Sequence, residues 1–108
     1  MSRALAEIDA MEAAERSEEA LRQRNERIRL EELEDVTALM GTKSGRRFVA
    51  RMLDDTGVYR ASYTPNAQQT AHNEGNRRVG VDLRDLVRKH CPGEFLLMEQ
   101  ESLKREER

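Results

Sequence analysis

Three groups of side chains in this sequence combine chemistry-bearing types at short spacing. Gly41-Thr42-Lys43-Ser44-Gly45 holds the glycines, lysine and hydroxyls of a phosphate-cradling loop. The Walker pattern needs four residues between its glycines and Lys-Ser/Thr directly after the second. Here three intervene, Arg46 follows, and no buried strand precedes, so the segment reads as a turn between helices with capping hydroxyls. His72, Glu74, His90 and Cys91 are metal-ligand types. The two histidines are eighteen residues apart, with no i,i+4 pair and no second cysteine, so no metal site is expected. Cys91 has no base near it in sequence and reads as a small buried side chain beside a turn. No catalytic residue and no cofactor emerge from these groups.

The third group is the basic pairs Arg46-Arg47 and Arg77-Arg78. Phosphate contact would suit them, with residues 44–56 and a following helix as a helix-turn-helix. The connection from Gly57 to Pro65 is too long for the usual three- or four-residue turn. The second helix would also begin Asn66-Ala67-Gln68-Gln69, without an arginine. The plainer reading gives these arginines charged contacts to Asp54, Asp55 and Glu74, or to a partner's carboxylates. One arginine of each pair is expected to meet an acid.

The elements that would position these groups are helical. Residues 2–40 contain no Gly or Pro and are rich in Ala, Glu, Arg and Leu, with Ser2 as a cap. Apolar positions are sparse through Leu5, Ile8, Met11, Leu21 and Ile28. They thicken at Leu30, Leu33, Val36, Leu39 and Met40. Residues 1–28 therefore read as a charged helical arm and 29–40 as the first core helix. Pairs such as Glu12–Arg16, Glu18–Arg22 and Glu26–Arg22 would each add about 0.2–0.5 kcal/mol to the arm. A sustained heptad is missing, so a strict two-stranded coiled coil is not expected. Gly41 ends this helix. A second runs about 44–56 with Phe48, Val49, Met52 and Leu53 on one face, and Gly57 closes it. Val58–Thr64 reads as an extended connector. Pro65 is expected to open the third helix near its first position, capped by Thr64. Cys91-Pro92-Gly93 is a stop, and 94–106 a last helix, apolar at Phe95, Leu96, Leu97 and Met98.

Within the third helix Ala67, Ala71, Gly75, Val79, Leu83 and Val87 recur every four residues. That spacing makes one ridge, small at its start and large at its end. A glycine inside a helix costs roughly 1 kcal/mol against alanine, so close packing against another helix is the expected compensation. These six are the expected helix-packing positions.

Composition limits what the chain can bury. Its apolar fraction is 37%, below the roughly 45–50% of globular chains, and its charged fraction is also 37%, above about 25%. Residues 1–36 hold six basic and eleven acidic side chains, and residues 37–99 ten basic and seven acidic. An acidic arm on a mildly basic body favours self-complementary assembly or docking on a charged partner. A single cysteine excludes an internal disulfide. No run reaches the roughly 18 apolar residues of a membrane span, and Met1–Ala10 lacks a signal-peptide core. Synthesis in the cytoplasm is expected, without membrane contact. The expected architecture is all-α: about four helices in a compact domain at 29–100, a long charged N-terminal arm at 1–28 and a charged tail at 101–108.

Gly45-Arg46-Arg47-Phe48-Val49-Ala50-Arg51-Met52-Leu53, then Gly57-Val58-Tyr59, then Glu74-Gly75-Asn76-Arg77-Arg78-Val79-Gly80-Val81 stand in an order that resembles a known family. It is a family of small virion-associated proteins of short-tailed bacteriophages, of the Bordetella phage type. Phe95-Leu96-Leu97-Met98-Glu99 is similar to the family's end, and the resemblance covers about residues 30–100. It implies a phage particle or its assembly, and the role expected there is a non-enzymatic structural subunit of the virion. Such a subunit would pack against portal, neck, capsid or ejection proteins near the portal or inside the head, or against copies of itself. A DNA-binding or DNA-packaging accessory is the alternative.

Overall fold

The computed structural model describes residues 2–106. Met1 of the expected arm and Glu107 and Arg108 of the expected tail lie outside the described residues. The fold is all-α: α1 spans Arg3–Met40, α2 Lys43–Asp55, α3 Ala67–His90 and α4 Pro92–Glu106. The chain divides into two units after Leu33.

The first unit is a lone helical arm in which every described residue from Ser2 to Glu31 is exposed. Ser2 caps it, its carbonyl accepting from the Leu5 and Ala6 N–H groups at 3.1 and 3.3 Å. The arm's ion pairs differ from those expected. Arg22 reaches Glu19 at 2.8 Å rather than Glu18 or Glu26, because spacing three lets both its Nε and Nη2 donate to one carboxylate. That bond holds the Glu19 carboxyl below its ordinary value. Arg29 pairs with Glu26, and Arg3 with Glu7 at 3.9 Å.

The second unit starts at Glu34 and wraps a small core around α2. Val36, Met40, Val49, Leu53, Val58, Val87, Cys91, Phe95 and Met98 are its buried apolar side chains. Leu30 and Leu33, expected in the core, are exposed, and so are Phe48, Leu96 and Leu97. On α2 the buried row is Gly45-Val49-Leu53, a spacing of four that carries Phe48 to the rim.

The helix ends follow from their local chemistry. The Thr42 hydroxyl accepts from the Gly45 N–H at 3.0 Å and caps α2. At the other end Gly57 takes a φ of 79°, its N–H bonds the Asp54 carbonyl, and the Val58 N–H bonds the Leu53 carbonyl. This is a Schellman termination, and it drops Val58 into the core. The cap of α3 is Asn66, not Thr64. The Asn66 side chain accepts from the Gln69 N–H at 3.0 Å, so Pro65 lies before the helix. Thr64 instead binds Thr70 and Asn66, tying the connector to the first turn of α3. Pro92 does not stop the chain but occupies the first position of α4, where a missing N–H costs nothing. The Cys91 carbonyl accepts from the Phe95 N–H, so α3 hands over to α4 with one residue between them.

Glycines 75 and 80 divide the packing roles on α3. Nothing lies within 4 Å of where a Gly75 Cβ would stand. A Gly80 Cβ would meet Thr56 Oγ1 at 2.0 Å and Val58 Cγ2 at 2.4 Å. Thr56 is held there by hydrogen bonds to the Met52 and Leu53 carbonyls. Gly75→Ala is therefore expected to stabilise the fold by about 0.5–1 kcal/mol through helix propensity. Gly80→Ala is expected to destabilise it by about 1–3 kcal/mol through overpacking. Thermal melts of the two variants test this, and shifts in the same direction would contradict it.

Candidate interaction surface

The ridge and the basic pairs separate in three dimensions. Ala67, Ala71, Gly75 and Val79 face solvent, Leu83 is half-buried and Val87 is fully buried. Each step of four residues turns about 40° around a helix, so five steps carry the ridge about 200°. Only its large end reaches the core. The close backbone approach on α3 is at Gly80, off the ridge.

Arg46 lies inside the body. Its Nε and Nη2 donate to Glu101 Oε1 at 3.1 and 2.9 Å, and its Nη1 donates to the Met40 carbonyl at 3.0 Å. The two side chains are 11% and 15% exposed. One guanidinium thus ties the end of α1 and the start of α2 to the middle of α4. The Arg46 hydrogen bond holds the Glu101 carboxyl below its ordinary value, against the opposing effect of burial. The acid is on the far helix, not among the near-sequence carboxylates Asp54, Asp55 and Glu74. Arg47 lies on the surface beside it. Arg77 is half-buried and Arg78 exposed, and neither meets a carboxylate among the described residues. Asp54 pairs loosely with Arg60 at 3.9 Å.

The outer side of α4 carries an extended cleft system. A cleft of about 650 Å³ runs between α2 and α4 over Ala50 and Met98, with Arg47, Arg51 and Leu103 on its walls. A second, of about 460 Å³, lies between α3 and α4 with Arg84, Arg88, Phe95 and Leu96. Both include Tyr59 and Glu99, so they form one strip. Arg51 stands over the Phe48 ring at 5.7 Å and Arg88 over the Phe95 ring at 5.6 Å, each an arginine laid on an aromatic face. Burial, then the charge of Glu99, pushes the Tyr59 phenol above its ordinary value, so it presents a neutral hydroxyl. Sequence reasoning missed Glu101, Tyr59, Arg51 and Arg88. For Glu101 the signal exists: Phe95, Met98 and Glu101 follow a spacing of three down one side of α4.

Cys91 is buried, and no group of three or more His, Cys, Asp or Glu side chains converges on a common point among the described residues. No helix among them is long and apolar enough to cross a membrane.

The helices that make this surface coincide with a family match. A family model described as Bbp19-like phage protein matches residues 36–100. The chain belongs to that family. The match opens at Val36, the first buried side chain of α1, and closes inside α4, so the Bbp19-like region is the part that carries the core and the cleft walls. The exposed arm precedes it. No curated protein and no solved structure matches the chain.

Proposed function

We propose that this phage protein is a non-enzymatic structural subunit of the virion, packing through its helices against other virion proteins near the portal and neck or inside the head. The observation that carries the reading is the balance of apolar surface. Nine side chains form the buried core, while fourteen large apolar side chains among the described residues are exposed. Seven of those fourteen line the arm, from Leu5 to Leu33. A folded chain that leaves most of its large apolar side chains in water has surface reserved for partners. Mass spectrometry of purified virions tests the proposal. The protein is expected at a fixed copy number per particle, and its absence from particles would refute the reading.

The arm's dependence on a partner has its own signature. A helix with no tertiary packing opens readily whatever its propensity. In dilute monomer, amide hydrogens of residues 3–31 are expected to exchange within seconds while those of Leu53 and Val87 stay protected. The arm should gain protection in the assembled particle. Equal protection of arm and body in the dilute monomer would contradict this.

A further inference from the structure

We infer that the α4 cleft receives the first half of the arm, residues 5–18, of a second copy of this chain. The inference rests on the subunit reading above and names the partner. On the arm, Leu5, Ile8 and Met11 form a row at spacing three, each exposed by 45% or more. Asp9, Glu12 and Glu15 follow them one turn on, at i+4, so an acidic row runs beside the apolar one. Asp9, Glu12, Glu15 and Glu18 meet no cation among the described residues.

The cleft is the counterpart. Leu96 and Leu103 stand 57% and 60% exposed two turns apart on α4, Leu103 in the cleft floored by Met98 and Ala50 and Leu96 in the adjoining cleft beside Phe95. Around them Arg47, Arg51 and Arg88 form no ion pair with a carboxylate among the described residues, while Arg105 donates to the Ser102 hydroxyl at 3.1 Å and its charge acts on Glu101. An apolar row with Glu12 and Glu15 along it, flanked by Asp9 and Glu18 about 180° apart, thus complements an apolar strip bordered by the unpaired Arg47, Arg51 and Arg88. Asp54, Glu99 and Glu106 also line the strip. They would repel a phosphate backbone, whereas a helix carrying Arg16 among its acids can meet them. That favours a protein helix over a nucleic acid.

Such docking is head-to-tail. The copy that offers its cleft still has a free arm, so the contact propagates into a ring or a filament. Self-association of the full chain is then expected to rise with concentration and to weaken with added salt.

The test is complementation, read by light scattering on a sizing column. Ile8→Asp/Met11→Asp disables the arm, and Leu96→Asp/Leu103→Asp disables the cleft. All four positions are exposed, so far-UV ellipticity and the Tm of the body are expected to stay at wild-type values. Each variant alone is expected to be monomeric, and an equimolar mixture to form a one-to-one dimer, since each retains the half the other lacks. A second pair repeats the test by charge: Glu12→Arg/Glu15→Arg and Arg47→Glu/Arg51→Glu are each expected to lose self-association and to recover it when mixed. A wild-type chain that stays monomeric at every concentration overturns the inference and leaves the virion reading intact, because that reading is tested on particles. A cleft variant that still self-associates overturns it in favour of arm-to-arm pairing. Binding of a fluorescent oligonucleotide that Arg47→Glu/Arg51→Glu abolishes overturns it in favour of a nucleic-acid site.

Discussion

Gly45→Ala is expected to be the most damaging single methyl group in the molecule. The Cβ it adds would lie 1.7 Å from the Leu39 carbonyl oxygen and 2.8 Å from its carbon. Both atoms are backbone. They sit in the last turn of α1, so they move only if the helix end moves. That end carries Met40, which is fully buried, and the carbonyl that Arg46 binds. Thr42 Oγ1, at 2.9 Å, is likewise fixed by its cap to the Gly45 N–H. The gain in helix propensity, at most about 1 kcal/mol, cannot offset a clash against backbone. The expected loss is about 3 kcal/mol, at the upper end for overpacking. In a domain of this size that lowers Tm by more than about 10 °C. Urea unfolding followed by ellipticity measures it, and a Gly45→Ala midpoint equal to wild type would show that α1 does not pack as described. The glycine spacing that imitates a phosphate loop in Gly41–Gly45 is thus a packing requirement: the second glycine lets two helices touch backbone to backbone.

The helix content of the chain was legible because it rests on short-range chemistry. A run without Gly or Pro, a threonine cap before Lys43 and a glycine after Asp55 act within a few residues. Which face each helix buries was less legible. A spacing of four looks like one face over two or three steps and drifts off it over five, so Ala67 and Val87 end on opposite sides of α3. Phe48, Leu96 and Leu97 were misplaced for a related reason. A core of nine side chains cannot take every large apolar residue on a helix of a small body. Long-range pairing was not legible at all. Arg46 finds its acid fifty-five residues away, and although the spacing of Phe95, Met98 and Glu101 places that acid on the buried side of α4, nothing local names Arg46 as its partner. The cleft was invisible for the same reason: its walls come from three helices, and its unpaired arginines are recognised only once the pairs inside the body are known.

Removing the Arg46 guanidinium is expected to rank next. Arg46→Ala deletes two hydrogen bonds to a carboxylate and one to the Met40 carbonyl, and it leaves Glu101 largely buried without a cation. Glu101 Oε2 already lacks a hydrogen-bond partner, so Oε1 supplies the whole interaction. Stranding a mostly buried charge costs about 2–3 kcal/mol once residual exposure is allowed for. The neighbouring Arg47→Ala, on the exposed side of the same helix, is expected to stay within about 0.5 kcal/mol of wild type. A pH series separates this ion pair from simple loss of packing. In the wild type the folded-state Glu101 carboxyl titrates below its unfolded value of about 4.3. Its stabilisation is therefore complete above that pH and is lost as pH falls through the folded-state value. The Tm advantage of wild type over Glu101→Gln should accordingly shrink below about pH 4. In Arg46→Ala the largest cause of the lowering is gone, while burial still raises the carboxyl and the Lys43 and Arg105 charges still lower it, so the pH dependence is expected to weaken. Measured against Arg46→Ala/Glu101→Gln, that variant should lose less of its stability as pH falls than wild type loses against Glu101→Gln. Parallel pH profiles for wild type and Arg46→Ala would mean that Arg46 holds α4 by its bulk and not by its charge.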